Sequence, residues 1–122
     1  MNITLPELRP GERLIATIII PNGRREHIIL MAKEVQTNKE MTWQAAMDFA
    51  KDAGGELPDR VESALLFATK EEGEFELDWY WTREQGAGFG SYAWVQSFDY
   101  GYQDDYRKDN KYRVVLVRRI AI

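Results

Sequence analysis

The chain contains no cysteine. Disulfides, thiolate nucleophiles and cysteine-based metal sites are therefore excluded. The compartment is not fixed by that absence, although a reducing cytoplasm fits. Histidine occurs once, as His27, so a Ser-His-Asp or Cys-His set has only that residue to draw on. His27 lies within an apolar strand, where a hydrogen-bonded structural histidine is the expected reading ahead of a catalytic base. Long apolar runs are lacking too. Ile15 to Ile20 is too short to span a bilayer, so no membrane insertion is expected. Met1 to Pro10 has neither the basic start nor the apolar run of a secretory signal. There is no excess of positive charge. A net charge of −4 and a pI near 5.1 argue against a general nucleic-acid binder. Repeats, low-complexity tracts and linkers are missing. Residues 1–122 are expected to form a single domain around one core, with 1–41 a hairpin and loop and 42–122 its main body.

What the chain does have is a concentration of aromatics between Trp79 and Tyr106. Three of its four tryptophans and five of its six tyrosines lie there. Aromatics alternating with small or polar residues suit a pleated surface. Phe89, Tyr100, Tyr102 and Tyr106 fall in turn-like sequence and cannot all be core. Aromatics spent on a loop mark a contact surface.

In chain order, Leu5 to Gly11 is irregular, because two prolines break both kinds of ladder. Arg13 to Ile20 reads as a strand. Pro21-Asn22-Gly23-Arg24 reads as a hairpin turn with positive φ at both central positions. Glu26 to Ala32 is the returning strand. The runs Ile18-Ile19-Ile20 and Ile28-Ile29-Leu30-Met31 suit strands covered on both faces, and a hairpin paired with a partner chain reads the same way. Glu34 to Met41 reads as a loop. Thr42 can cap a helix to about Ala53, with Trp43, Ala46, Met47, Phe49 and Ala50 on its apolar stripe. Gly54-Gly55 stops it. A second helix follows Leu57-Pro58. Asp59 and Glu62 stand at capping-box spacing, and Val61, Ala64, Leu65 and Ala68 form the expected buried face. Glu71 to Asp78 reads as a solvated acidic loop. Trp79 to Thr82, Ser91 to Phe98 and Tyr112 to Arg119 complete the strands. Trp43, Trp81 and Trp94 are expected in the core.

Other chemistry is thin. Asp104, Asp105, Asp109 and Asn110 suit either a cation or a turn, and the turn is preferred. Gly86-x-Gly88-x-Gly90 has no strand-to-helix context for phosphate and reads as a flexible loop. Glu84 and Gln85 are either buried polar anchors or ligand-facing. Arg107, Lys108, Lys111 and Arg113 place positive charge beside tyrosines, a minor route to single-stranded bases.

Thr42-Trp43-Gln44-Ala45-Ala46, Gly54-Gly55-Glu56-Leu57-Pro58 and Glu62 with Leu65-Leu66 together resemble the paired-helix signature of C-type-lectin-like folds. The formylglycine-generating and related sulfatase-modifying group has a similar run. Trp79-Tyr80-Trp81, Tyr92-Ala93-Trp94, Phe98-Asp99-Tyr100-Gly101 and Val117-Arg118-Arg119 are closer to the Lcl C-terminal-domain group, of unknown function and common in phage and prophage proteins. The likeness spans roughly residues 42–120. It implies an α+β, C-type-lectin-like fold. The termini would meet in one antiparallel sheet, two helices would flank it, and a long loop region near Gly86–Asn110 would hang from a second small sheet. In that superfamily the loop region binds sugars, proteins or host receptors. The sulfatase-modifying activity needs cysteines that this chain lacks. The calcium-lectin motifs are absent too, since Trp94-Val95-Gln96 stands where Trp-Asn-Asp would.

These readings converge on a non-catalytic, phage- or prophage-encoded binding module with no cofactor and no metal. Its partner would be a host surface glycan or protein receptor. The alternative is an intracellular phage factor that binds and modulates a host protein. A homo-oligomer is compatible with either. The candidate ligand-binding residues are Tyr92, Tyr100, Tyr102, Gln103, Asp105, Tyr106 and Lys108.

Overall fold

A computed structural model describes residues 3–86, 88 and 90–122. Phe89, one of the aromatics expected on the contact surface, lies outside the described residues, as does Ala87. Among the described residues, six strands and two α-helices follow in the order β1 (Arg13–Ile19), β2 (Arg25–Leu30), α1 (Trp43–Asp52), α2 (Arg60–Thr69), β3 (Trp79–Gln85), β4 (Tyr92–Ser97), β5 (Gln103–Arg107) and β6 (Val117–Ala121). They form two three-stranded antiparallel sheets, ordered β1-β2-β6 and β3-β4-β5. The first sheet joins the two ends of the chain, as expected.

The β1–β2 hairpin turns as the sequence suggests, with one difference. Only Asn22 takes a positive φ, at 56°. Ile20 accepts from the Gly23 N–H at 2.9 Å, so Pro21 and Asn22 are the central residues of a type II turn. Helix α1 ends in a Schellman motif. The Gly54 N–H bonds Lys51 O at 3.1 Å and the Gly55 N–H bonds Ala50 O at 2.9 Å, with Gly54 at φ +80°. Gly55 admits no side chain, since a Cβ there would lie 2.9 Å from Val117 O.

The two sheets are joined along residues 113–117. Arg113 bonds β3 through Trp81 N and Trp79 O, Leu116 O accepts from Met31, and Val117 exchanges two 2.9 Å bonds with Glu56. This seam replaces the amino-terminal half of the expected strand Tyr112–Arg119; β6 begins only at Val117. Alternation explains why Val114 to Val117 is apolar without a break. Val114 and Leu116 enter one cluster, with Met31, Trp43, Ala46, Ala50, Leu57, Trp81, Ala93 and Val95. Val115 and Val117 enter the other, with Ile15, Ile28, Leu30, Leu66, Tyr80 and Phe98. Each face of the segment has its own core to fill.

Helix α2 corrects the expected stripe. Its buried residues are Glu62, Ser63 and Leu66, whereas Val61 is 58% exposed and Ala64 and Ala68 face solvent. The capping box is present as expected: Asp59 accepts from the Glu62 N–H, and Glu62 accepts from the Asp59 N–H, both at 2.7 Å. Glu62 also accepts from Nε and Nη2 of Arg119, each at 2.6 Å, and from a nitrogen of Arg24. An apolar-stripe reading cannot anticipate a glutamate turned inward to meet two arginines.

His27 is buried and fully bonded. Its Nε2 lies 2.9 Å from Thr4 O, and its Nδ1 lies 2.8 Å from Thr17 Oγ1. A carbonyl only accepts, so Nε2 carries a proton and donates to Thr4 O. The ring thereby ties the irregular amino-terminal segment across the outer face of the first sheet.

A second tie holds that segment. Glu12 accepts from two nitrogens of Arg118, at 2.7 and 2.8 Å, and from the Arg9 N–H at 2.8 Å. The hydrogen bond from Arg118 holds the Glu12 carboxyl below its ordinary value near 4.5. The ionised form is thus favoured in the folded state. The stabilisation is complete above the ordinary value and lost as pH falls through the depressed one. Glu12→Gln is expected to lower stability at neutral pH and to flatten the acid limb of the stability profile. Urea melts at a series of pH values check this. Parallel profiles for wild type and variant would rule the tie out.

Candidate recognition surface at the hairpin tip

Strands β4 and β5 pair from Tyr92↔Arg107 through Trp94↔Asp105 to Gln96↔Gln103. The expected long loop Gly86–Asn110 is therefore mostly hairpin. Its tip is the turn Phe98–Gly101 and Tyr102. Alternation sends Ala93 and Val95 into the core and leaves Trp94 and Gln96 on the opposite face.

That opposite face is tied to α2. Arg60 stacks over the Trp94 ring, 3.6 Å from its centroid. Its Nε donates to Gln103 Oε1 at 2.9 Å, while Gln103 Nε2 donates to Arg60 O and to Gln96 Oε1, both at 2.8 Å. Glu84 accepts from the Arg60 N–H at 3.0 Å and so anchors the helix start. Trp94 is accordingly half-exposed and not a core residue, a correction to the sequence expectation.

The tip is braced from inside. Gln96 is buried, and its Nε2 donates to Ser97 O at 2.9 Å and Gly101 O at 3.1 Å. Ser97 Oγ accepts from the Asp99 and Tyr100 N–H groups at 3.2 Å each. Phe98 is buried against Phe67, Phe75 and Tyr80, with ring centroids 6.2, 4.4 and 4.7 Å away. Gly101 has φ +85° and rests on Phe67, where a Cβ would approach the ring to 2.7 Å. Only glycine meets both demands. Tyr100 and Tyr102 project from this braced turn. They are 76% and 68% exposed, with ring centroids 6.2 Å apart.

The seven candidate residues do not gather in one place. Tyr100, Tyr102 and Gln103 are at the tip. Tyr92 and Lys108 belong to the other end of the hairpin, roughly 15 Å away along the strands, and Asp105 stands at the middle of β5 opposite Trp94. Asp105 lies against Gly86, and Lys108 donates to Gln85 Oε1 at 2.6 Å and covers the Trp43 ring at 4.3 Å. Tyr106 points to the core side. It packs edge-on against Trp79 at 5.4 Å and beside Tyr112 at 5.7 Å, so it is a core-edge residue and not a displayed tyrosine. Arg60, Gln96 and Ser97 were not among the sequence candidates. Period-two alternation does place Trp94 and Gln96 on one face; what a sequence does not show is that a helix start covers that face.

The acidic residues of β5 and of the turn after it engage the backbone and Arg107. Asp104 Oδ1 accepts from the Asp105 N–H at 2.8 Å. Asp109 bonds Arg107 at 3.3 Å, and that bond raises the Arg107 guanidinium above its ordinary pKa. Among the described residues no group of three or more His, Asp or Glu side chains is placed to hold a metal ion. No helix of the described residues is long and apolar enough to cross a membrane.

The tyrosines separate by substitution. Tyr106→Ala is expected to lower stability by about 2–4 kcal/mol, because it opens the Trp79–Tyr112 contact. Tyr100→Ala and Tyr102→Ala are expected within about 0.5 kcal/mol of wild type. Chemical denaturation of the three variants checks the order. Equal losses at all three positions would place the tip tyrosines in the core.

No family model matches the chain, and no curated protein is significantly similar to it.

Proposed function

We propose that the chain is a non-catalytic binding module, phage- or prophage-encoded, that recognises a host surface glycan or protein receptor through Tyr100 and Tyr102. One observation carries the reading: two tyrosines give most of their surface to solvent on a turn braced by buried Gln96, Ser97 and Phe98. Exposed aromatics on a mobile loop lose much of their contact energy in being ordered. On a fixed turn that loss is already made, and tyrosine adds area and a hydroxyl at small entropic cost. Asp99 and Asp104 supply acceptors at the rim. The architecture is read as C-type-lectin-like. Termini sharing one sheet, two helices and a second sheet that carries the recognition element support that reading.

The test is capture by tagged wild type and by Tyr100→Ala/Tyr102→Ala, from host lysate and on arrays of host-surface glycans. Retention of a surface glycan or receptor by wild type alone supports the proposal. A cytosolic host protein lost with the same double variant supports the intracellular alternative. A partner that binds both forms equally removes the tip from the account.

A further inference from the structure

Two three-stranded sheets leave four outer strand edges, and these differ in what they can accept. The β3 edge is occupied, since Trp79 and Trp81 bond Arg113 through N–H and C=O. The β6 edge is taken at Val117 by Glu56 and continues with Arg118 and Arg119. The β5 edge is open but carries Asp104 and Asp105 in a five-residue strand. A second copy pairing there would bring like charges face to face.

The β1 edge is unlike the others. It is seven residues long, and from Leu14 to Ile20 it has no charge and no proline. Ile20 donates to Arg24 O, which sets the alternation: Ile18 and Ala16 bond inward to β2, while Thr17 and Ile19 turn their N–H and C=O outward. No backbone partner for those outward groups occurs among the described residues. Every β1 residue except Ile15 is only half-buried, whereas β2 is buried from His27 to Leu30. Ile20, at the end of the strand, is 51% exposed.

We infer that β1 is a self-association edge, on which a second copy of this chain adds its own β1 antiparallel across a two-fold axis to make one six-stranded sheet. Unmet backbone groups call for an extended strand. The charge pattern selects a copy of the same strand. Any antiparallel register that pairs Leu14–Ile20 with itself sets uncharged side chains against uncharged side chains, so nothing repels. A two-fold pairing also closes after two chains. It leaves the hairpin tip free in both, so the dimer would present two tyrosine pairs. The inference does not depend on the tip binding anything.

Sedimentation equilibrium over a roughly hundredfold range of concentration tests it, because self-association follows mass action. Wild type is expected to reach twice the mass of one chain at the upper end. Ile19→Lys places a charge on the pairing edge of each copy, against an uncharged strand, and is expected to stay at single-chain mass with an unchanged circular dichroism spectrum. Leu77→Lys, at an exposed apolar residue far along the chain, is expected to associate as wild type does. Amide exchange at Thr17 and Ile19 gives a readout that needs no variant: protection should rise with protein concentration. Single-chain mass throughout, association beyond two chains, a folded Ile19→Lys that still dimerises, or concentration-independent exchange at both amides would each overturn the proposal.

Discussion

Trp81→Ala is expected to lower stability by about 3–5 kcal/mol, the range for truncating a fully packed tryptophan. The side chain is 0% exposed and lies at the centre of the cluster shared by α1, the second sheet and the seam. Its Nε1–H donates to Met41 O at 2.8 Å, and its ring meets Tyr112 edge-on at 5.0 Å. Truncation removes the apolar area, leaves a cavity that β3 and the seam cannot both close, and takes from Met41 O one of its two donors, the other being the Tyr112 N–H. Net stabilities of domains this size are about 5–15 kcal/mol, so roughly a fifth or more of the total is at stake. Trp94→Ala should cost distinctly less, because its ring is half-exposed and meets Arg60 in place of a packed core. Urea denaturation of both variants checks the contrast. A Trp94 loss equal to that of Trp81 would mean that the Arg60 face is as well packed as the core.

Local signals predicted the elements better than the contacts. Helix α1 was readable from Trp43, Ala46 and Ala50 at helical spacing and from Gly54 at its end. The capping box at Asp59 and Glu62 was readable because capping is a four-residue event. The hairpin before Arg24 was equally local. Three features escaped. Strand β5 reads Gln-Asp-Asp-Tyr-Arg, a poor strand by propensity, and forms because β4 offers it a ladder. The inward rotation of α2 depends on Arg24 and Arg119, 38 and 57 residues from Glu62. Tyr106 and Tyr102 look alike in sequence, yet their strand positions send one to Trp79 and the other to solvent. For α2 and Tyr106 the deciding partner is remote along the chain; for β5 it is the neighbouring strand, which propensity does not register. Of the candidate site, the exposure of Tyr100 and Tyr102 was legible; the polar brace behind them was not.

Glu62→Ala is expected to destabilise the fold by about 3–5 kcal/mol, since removing one partner of a buried ion pair leaves the other charge uncompensated. Glu62 is fully enclosed, and Arg119 is 10% exposed at its side chain. Burial pushes the Glu62 carboxyl up and the Arg119 guanidinium down, and the charge and hydrogen bond of Arg24 oppose the rise at Glu62. Glu56 and Glu26 cannot replace Glu62: Glu56 is largely solvated and Glu26 holds Arg24 from the strand side. The capping box loses its second half in the same substitution. Glu62→Leu combined with Arg119→Met removes both charges and should recover much of the loss, which separates ionic from packing effects. The consequence reaches the tip. Glu62 sets the rotation of α2 about its axis, and that rotation aims Arg60 at Trp94 and Gln103, which in turn hold Gln96 under the tyrosine turn. In Glu62→Ala, amide exchange at Asp99 and Tyr100 should therefore quicken by more than global destabilisation accounts for. A single-variant loss within about 0.5 kcal/mol would show that the buried cluster carries no net stabilisation. Unchanged exchange at the turn, beside a large global loss, would show instead that the brace stands without the rotation of α2.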